Sequence, residues 1–481
     1  MALNEFPSDF AEPRGKSDGP LHIHIMHRHV PVFVSYLALT FLFAFAAVIV
    51  YIVSQEPTNP VQVILNNATD QRIEFSYGSW PALQNADFFQ QVKDDFIAKS
   101  VSFIEADLTG MKIKYYGEGK LLKEVAIISK GREGSWWETP AGLYQVQSKE
   151  ENHFSSFGRV FMPWSLQFQG NFFIHGPTTY PDGTPTPPGY SGGCVRVGLA
   201  DAEELYRLVT KGAPVLVFKN PATGAAQEVK YEERQLLPDG VSYLAADLEN
   251  NFVFAGKDAT YERAIASITK LMSALVAVEY INVEREVVVN SSSIASTSIP
   301  RLHAGEISSV LDLLSLMLLE SSNEAANAVT APVGHERFLQ LMNTKAKAIG
   351  MAHSHFADTS GVLWENTSTV EDLFALAKYL YYNRSFILHM TMGKENRAVY
   401  DAPKYKNLQN LNLIPGVSGM VGGKMGISQA AKDSMFSVFE LNLNEAKRPV
   451  AIIVLGSDDA KRDTKTLLDY IRNNFSVEVG E

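Results

Sequence analysis

Apolar residues follow three different spacings along the chain, and each spacing predicts a different kind of structure. Residues 32–53 form an apolar stretch without a charged residue, and crossing a bilayer takes about 20 such residues. Residues 87–98 repeat apolar side chains at helical spacing, which predicts an amphipathic helix. Apolar and polar residues alternate in 111–115 and again near 125–128, which predicts strands.

Proline, glycine and polar runs separate these patterns into domains. A hydrophobic strand at 214–218 ends the first domain, and residues 219–240 hold prolines and glycines among charges, as a linker does. A second alternation starts at 241. The predicted order is a tail (1–31), a transmembrane anchor (32–53), a linker with a helical segment (54–100), a mostly β domain (101–220), a linker (221–240) and an α/β domain (241–481).

Basic residues predict the orientation of the anchor. Arg14, Lys16 and Arg28 precede it, and no lysine or arginine follows until Arg72. Because positive residues favour the cytoplasmic side, we expect a cytoplasmic tail and both domains outside the inner membrane. Cleavage after Ala47 is the alternative, but the apolar run continues past this residue, and a signal-peptide core is usually shorter.

Composition narrows the possible functions. The formal net charge of −11 argues against general nucleic-acid binding. Four histidines cluster in the tail without an acidic or cysteine partner, so we predict no metal site there: His22, His24, His27 and His29. The single cysteine, Cys194, excludes an internal disulfide.

Cys194 lies in a setting that favours chemistry over simple packing. Gly192 and Gly193 precede it, and Arg196 follows, so that a fixed positive charge favours the thiolate. His175 lies 19 positions upstream and provides a candidate base. A buried structural thiol is the alternative.

This stretch resembles the L,D-transpeptidase catalytic domain over residues 101–220. The shared features are His175-Gly176, the run from Ser191 to Arg196, Thr139 to Gly142, and Ala202 to Tyr206. The resemblance implies a mostly β fold, Cys194 as nucleophile, His175 as base, and Gly193 and Arg196 on the substrate side. Gly192 departs from the family, in which many members have a second histidine at this position.

A second catalytic pair lies in residues 261–280, which favour a helix because they hold alanine, leucine and methionine without proline or glycine. Ser267 and Lys270 are three residues apart, so on a helix they share a face. A partly desolvated lysine can lose its proton and act as a base toward the serine. An ordinary solvated helix face is the alternative.

Residues 241–476 resemble the serine-type D-Ala-D-Ala carboxypeptidases among the low-mass penicillin-binding proteins. Three motifs occur in the family order: Ser267 to Lys270, Ser321 to Asn323, and Lys424 to Gly426. The resemblance implies a β-lactamase-like α/β fold, with Ser267 as nucleophile and Lys270 as its base. Ser321 and Lys424 pass the proton to the leaving amine, and Asn323 holds the substrate amide.

The same resemblance assigns the remaining substrate contacts. The backbone N–H groups of Ser267 and Ile427 form the oxyanion hole beside Gly426. Arg462 matches an arginine near the substrate carboxylate, and a surface charge is its alternative. Met425 departs from the family, which usually has a hydroxyl residue there.

We therefore expect a membrane-anchored, bifunctional enzyme that acts on peptidoglycan stem peptides and is inhibited by β-lactams. Both mechanisms are covalent and imply no metal or organic cofactor. The main alternative is a cell-wall-binding or β-lactam-sensing protein with one weak domain, suggested by Met425 and Gly192. A further alternative is a first domain that only hydrolyses or that attaches a protein to the wall.

The orientation can be tested with a reporter fused after Glu481. An enzyme that works only outside the cytoplasm should be active in this fusion, because the positive residues precede the anchor. Activity of a cytoplasmic reporter at the same position would contradict the predicted topology.

Overall fold

The computed structural model describes residues 63–66, 72–75, 88–156, 158–187, 191–219, 228–231, 238, 241–394, 402–444 and 446–478. The predicted tail and anchor lie outside these residues, and so does the histidine cluster. Within the described part, no helix is long and apolar enough to cross a membrane.

The first domain is mostly β, as the sequence predicts. One sheet has five strands in the order β5-β4-β3-β11-β6, and the other has four in the order β10-β9-β8-β7. Their bounds are β3 Phe103–Asp107, β4 Lys112–Gly117, β5 Lys120–Ala126, β6 Gly142–Gln145, β7 Ser148–Ser155, β8 Val160–Gln169, β9 Phe172–His175, β10 Val195–Arg196 and β11 Pro214–Phe218. Two helices complete it: α1 Phe88–Ala98 and α2 Leu199–Leu208.

Alternation along the strands builds two cores on opposite faces of the five-stranded sheet. Ile104 and Val215 face the main core, which they share with residues of the four-stranded sheet. Their neighbours Phe103 and Leu216 face the other way and pack against α1. Helix α1 confirms the predicted amphipathic helix, with Phe88, Val92 and Phe96 buried: their exclusion from water is what holds it to the sheet.

The second domain is α/β, with a five-stranded antiparallel sheet in the order β14-β13-β21-β20-β19. The strands are β13 Ser242–Asp247, β14 Val253–Lys257, β19 Met420–Ser428, β20 Lys432–Leu443 and β21 Ala446–Ser457. The helices are α3 Thr269–Tyr280, α4 Val310–Leu319, α5 Asn323–Ala328, α6 His335–Ala348, α7 Val370–Asn383, α8 Ser385–Thr391 and α9 Ala460–Asn474. Two short pairs complete it: β15 Arg263–Ala264 with β18 Thr367–Ser368, and β16 Glu286–Val288 with β17 Ile307–Ser309.

The two faces of this sheet carry separate apolar layers. Phe436 and Ile453 face the large helical core, which contains α3, α4 and α7. Met435 and Ile452 face the opposite layer, where Leu467 of α9 packs. Because successive side chains on a strand point to opposite faces, consecutive residues are buried through the middle of both β20 and β21.

The predicted linker between the domains contains a strand. Residues β12 Glu228–Tyr231 pair with β22 Phe475–Glu478 at the end of the second domain. Another two-stranded pair, β1 Val63–Asn66 and β2 Arg72–Phe75, precedes α1. The sequence pattern missed β12 because its partner lies more than 200 positions away, and a strand's pairing is a tertiary property.

Candidate active sites

Close packing requires a glycine before the single cysteine. Gly193 has φ +105°, and a Cβ placed on it would lie 2.4 Å from the ring of Phe172 and 2.6 Å from the carbonyl oxygen of Trp137. A side chain at this position would therefore displace its neighbours. Its carbonyl oxygen accepts a hydrogen bond of 2.8 Å from Thr139 Oγ1, which fixes the turn that presents Cys194.

Parallel pairing of β9 and β10 brings the predicted nucleophile and base to one face. Arg196 is the register partner of His175, and Cys194 directly precedes β10. Cys194 and His175 line a common cavity, whose other walls are Ser155, Gly158, Val160, Met162, Asn171, Thr178, Ser191, Gly192 and Arg196. The structure therefore brings together the residues that the motif predicts.

His175 is held as a neutral base. Its Nδ1 lies 2.5 Å from the carbonyl oxygen of Gly176, so Nδ1 carries the proton and donates it to that acceptor, which leaves Nε2 as the acceptor. Burial lowers the pKa of His175 to about 4, and the charge of Arg196 lowers it further. A neutral imidazole with a fixed tautomer is suited to take a proton from a thiol.

The expectation that Arg196 makes Cys194 a thiolate is wrong for this state of the protein. The thiol is only 7% exposed, and burial raises the pKa of Cys194 to about 12, against the lowering by Arg196. The guanidinium is engaged elsewhere, because Arg196 Nη2 donates to Thr178 Oγ1 at 2.8 Å. Burial outweighs the charge because the thiolate loses its hydration. The resting pair is thus thiol and imidazole.

The serine site begins on a turn rather than inside the predicted helix. Ser267 lies in a 3₁₀ turn, Ala266–Ile268, and α3 starts at Thr269. The preceding residue, Ala266, has φ +44°, a left-handed conformation that is strained for alanine. A Cβ on Gly361 would lie 1.9 Å from the carbonyl oxygen of Ala266, so a neighbouring loop presses directly against this turn.

Lys270 joins the nucleophile to two other elements. Its Nζ lies 2.8 Å from Ser267 Oγ, 2.8 Å from Asn323 Oδ1 and 2.5 Å from the carbonyl oxygen of Ser360. Burial lowers the pKa of Lys270 well below its usual value of 10.5, and the charge of Lys424 lowers it further. The geometry therefore suits a lysine that accepts the serine proton.

The second motif lies at the start of α5 and faces both lysines. Ser321 has φ +58°, and its Oγ lies 3.1 Å from Lys424 Nζ. The amide of Asn323 is engaged at both ends, because its Nδ2 donates to the carbonyl oxygen of Ser296 at 2.7 Å while Oδ1 meets Lys270. In this structure both ends of the Asn323 side-chain amide are hydrogen-bonded within the protein, so the amide connects parts of the site and is not free to bind a substrate.

The third motif lies on β19, close against the serine turn. A Cβ on Gly426 would lie 2.6 Å from the carbonyl oxygen of Ile265 and 3.2 Å from the backbone nitrogen of Ser267, so this strand requires a glycine there. Lys424 is fully buried. Burial lowers the pKa of Lys424 to about 7, and the charge of Lys461 adds to this effect.

The structure also places Met425, which departs from the family pattern, and Arg462, which matches it. The side chain of Met425 is half-buried and packs on the apolar layer beside α9. Arg462 lies in the first turn of α9, with its side chain 67% exposed and its Nε 3.6 Å from Asp463 Oδ1. Lys461 is the neighbouring cation that acts electrostatically on Lys424, and its Nζ donates to the carbonyl oxygen of Leu411 at 2.8 Å.

The sequence did not predict two residues that shape the surroundings of the buried lysines. Asn412 is fully buried, and its Oδ1 meets both Lys424 Nζ at 3.4 Å and the backbone nitrogen of Met425 at 3.1 Å. Asp358 accepts the backbone N–H groups of Ser360, Gly361 and Leu363 at 2.5–2.6 Å, which shapes the loop that gives Lys270 its carbonyl. No local pattern in the sequence singles out Asn412.

Comparison with known families confirms both resemblances. Residues 102–217 match the family described as the L,D-transpeptidase catalytic domain. Residues 232–459 match the family described as D-alanyl-D-alanine carboxypeptidase. The chain therefore contains one domain of each family.

Individual proteins are also similar to part of this chain. The D-alanyl-D-alanine endopeptidase of Escherichia coli is 29% identical over 251 residues, which cover 50% of this chain and 77% of that protein. The D-alanyl-D-alanine carboxypeptidase DacB2 of Mycobacterium tuberculosis is 27% identical, over 41% of this chain and 69% of its own. A crystal structure of a D-alanyl-D-alanine carboxypeptidase from M. tuberculosis H37Rv is 24% identical over 50% of this chain and 95% of its own, with a TM-score of 0.44.

The pH dependence of serine acylation should report the two buried lysines. We expect attack by Ser267 to need an uncharged Lys270 as base, and proton transfer to the leaving nitrogen through Ser321 to need a charged Lys424. Because the pKa of Lys424 is about 7, the rate of penicillin attachment should fall as the pH rises above about 7. The substitution Lys461→Met removes a charge that lowers this pKa, so the alkaline fall should move to higher pH.

The matched control is Lys465→Met, which removes an exposed lysine from the same helix. It should leave the pH profile unchanged. An alkaline fall that stays in place in Lys461→Met would show that Lys424 does not set it.

Proposed function

We propose that the chain is a bifunctional peptidoglycan-modifying enzyme. Its first domain acts as an L,D-transpeptidase on tetrapeptide stems, and its second as a D-Ala-D-Ala carboxypeptidase or endopeptidase. The observation that carries the proposal is that each domain holds an intact nucleophile beside a base. Lys270 Nζ lies 2.8 Å from Ser267 Oγ, and Cys194 shares its cavity with a neutral His175.

In the second domain, Ser267 Oγ attacks the carbonyl carbon between two D-alanines while Lys270 takes the hydroxyl proton. The tetrahedral oxyanion forms beside the backbone N–H groups of Ser267 and Ile427. As the C–N bond breaks, the leaving amine receives a proton through Ser321, whose Oγ lies 3.1 Å from Lys424 Nζ. Water then hydrolyses the acyl-serine and restores the enzyme.

In the first domain, the thiol must lose its proton as it attacks, because burial keeps it protonated at rest. Cys194 Sγ forms a thioester with the third residue of the stem, and the proton passes to His175. The imidazolium returns this proton to the departing D-alanine amine. An acceptor amine then attacks the thioester and forms the new amide, which releases the thiol.

The proposed location is outside the cytoplasm, on a single membrane anchor. It is supported by the apolar residues 32–53 and by the basic residues that precede them. Stem peptides of the cell wall lie on that side of the membrane, where both domains would meet their substrates.

The second candidate is a wall-binding or β-lactam-sensing protein with one weak domain. Met425 favours it, because a thioether cannot donate a hydrogen bond to a substrate carboxylate. Gly192 also favours it, since it leaves a cavity wall without the second histidine of many family members. Under this proposal β-lactams attach, but stem peptides turn over slowly or not at all.

Product analysis with purified muropeptides separates the two candidates. Cys194→Ala should abolish release of D-alanine from tetrapeptides and leave penicillin attached at Ser267. Ser267→Ala should do the opposite and remove cleavage of pentapeptides. Losing an activated nucleophile usually costs several orders of magnitude in rate. Unchanged tetrapeptide turnover in Cys194→Ala would refute the role of the cysteine.

The wild-type chain decides between an enzyme and a sensor in the same experiment. Turnover of both substrates supports the bifunctional enzyme. Stable β-lactam adducts without turnover of the corresponding stem peptide identify the weak domain, and with it the sensing alternative.

The two activities should work in sequence on one substrate. Trimming a pentapeptide leaves the tetrapeptide that the first domain uses, and a shared chain raises the local concentration of this product. From pentapeptide wall, we expect more 3→3 cross-links with the wild type than with an equimolar mixture of Cys194→Ala and Ser267→Ala chains. Ser267→Ala alone should yield almost none. Equal yields from the mixture and the wild type would exclude transfer within one chain.

A further inference from the structure

A segment of the first domain, residues 131–142, lies between the cysteine loop and the second domain. On one side, Asn383 Oδ1 accepts the backbone N–H of Ala141 at 2.9 Å. Beside it, Arg384 Nη1 donates to the carbonyl oxygen of Glu138 at 2.5 Å. The side chain of Trp136 is buried in the helical core of the second domain. The second domain thus holds this segment by both backbone and side chain.

The other side of the same segment supports the nucleophile. Thr139 Oγ1 donates to the carbonyl oxygen of Gly193 at 2.8 Å, and it accepts the backbone N–H of Gly131 at the same distance. The carbonyl of Trp137 closes the space beside Gly193. Within the segment, Thr139 and Trp137 therefore contact Gly193, the residue before Cys194. The residues that contact the second domain are each only one or two positions from Thr139 or Trp137.

Arg384 reaches the cysteine loop by a second path. Its guanidinium lies over the ring of Phe172, 5.0 Å from the centroid. The edge of that ring fills the space where Gly193 would have a side chain. The next residue back, Asn171, offers the carbonyl oxygen that lies 3.6 Å from Cys194 Sγ. The Arg384 side chain therefore contacts both residues 131–142 and Phe172, and each of these packs against Gly193.

The position of Arg384 is fixed from within the second domain. The side chain is fully buried, and Nη2 lies 3.3 Å from Glu279 Oε1. Glu279 is itself held by Tyr379 at 2.9 Å and by Lys345 at 3.0 Å. A buried charge that loses its partner is costly, so the carboxylate holds the guanidinium in place and aims its other N–H groups at the first domain.

We propose that Arg384 and Asn383 of the second domain are positioning residues for Cys194. They hold residues 131–142 and Phe172 in the arrangement that places the thiol beside His175, so the cysteine site reaches its full rate only with the second domain docked. The inference rests on the proposed cysteine chemistry. A misplacement of about 1 Å can cost on the order of 100-fold in rate.

The test compares variants of the full-length chain. Arg384→Met should slow carbapenem attachment at Cys194 by about tenfold or more and leave penicillin attachment at Ser267 within about twofold. With tetrapeptide, kcat should fall while KM changes little, because the substrate pocket remains. Arg384→Lys keeps a charge opposite Glu279 and should recover part of the rate.

Two further substitutions separate positioning from loss of structure. Asn383→Ala removes one acceptor and should slow only Cys194, by less than Arg384→Met does, whereas Asn383→Asp keeps the acceptor and should restore the rate. The matched control is Arg448→Met. Arg448 is another buried arginine of the second domain, with Asp247 at 2.7 Å and Glu249 at 3.0 Å, and its loss should not change the ratio of the two attachment rates.

The outcomes are distinct. Equal slowing at Cys194 and Ser267, or an unchanged Cys194 rate in both Arg384→Met and Asn383→Ala, would overturn the inference. A wild-type chain whose Cys194 takes no carbapenem would instead refute the proposed function. In that case the rate at which iodoacetamide alkylates Cys194 tests the positioning role without relying on the proposed reaction. The rate should be higher in Arg384→Met than in the wild type, because a loosened turn exposes the thiol. An unchanged alkylation rate would overturn the inference.

Discussion

The buried ion pair between Arg384 and Glu279 is the interaction on which the support of the cysteine site depends. Arg384 holds the segment that supports the cysteine turn, and it also precedes α8, which packs on β19. Thr391 at the end of α8 accepts the backbone N–H of Gly423, one residue before Lys424, at 2.9 Å. A fully buried pair is costly to break, so it keeps Arg384 against the segment beside the cysteine turn, while α8 separately contacts the strand that carries Lys424.

Burial sets the chemistry of both sites, with opposite consequences. For Lys270 and Lys424, exclusion from water lowers the pKa. Lys270 can then act as a base, and Lys424 can gain or lose its charge near pH 7. For Cys194, the same exclusion raises the pKa and keeps the thiol protonated. Under the proposed function, the serine site is activated before substrate arrives, whereas the cysteine site depends on proton transfer to His175 during attack.

Motifs predicted most of the residues that the structure brings together at the two sites, because several of them lie within short stretches of chain. Cys194 with Gly193, and Ser267 with Lys270, are each separated by three residues or fewer. Local reasoning failed where distant parts of the chain decide the outcome. The helix predicted over residues 261–280 gave way to a strained turn at Ser267, because Gly361 and Gly426 press on that turn from two other elements.

By itself the sequence indicated the two families, their order, the mostly β and α/β folds and the candidate nucleophiles, since these follow from periodicity and from motifs of adjacent residues. Only the tertiary structure revealed the burial of the Cys194 thiol and the contacts made by Asn412, Asn383 and Arg384. Desolvation depends on everything packed around a group, and Arg384 meets Glu138 across 246 positions of chain. No local pattern records such a contact, because chain folding alone brings its partners together.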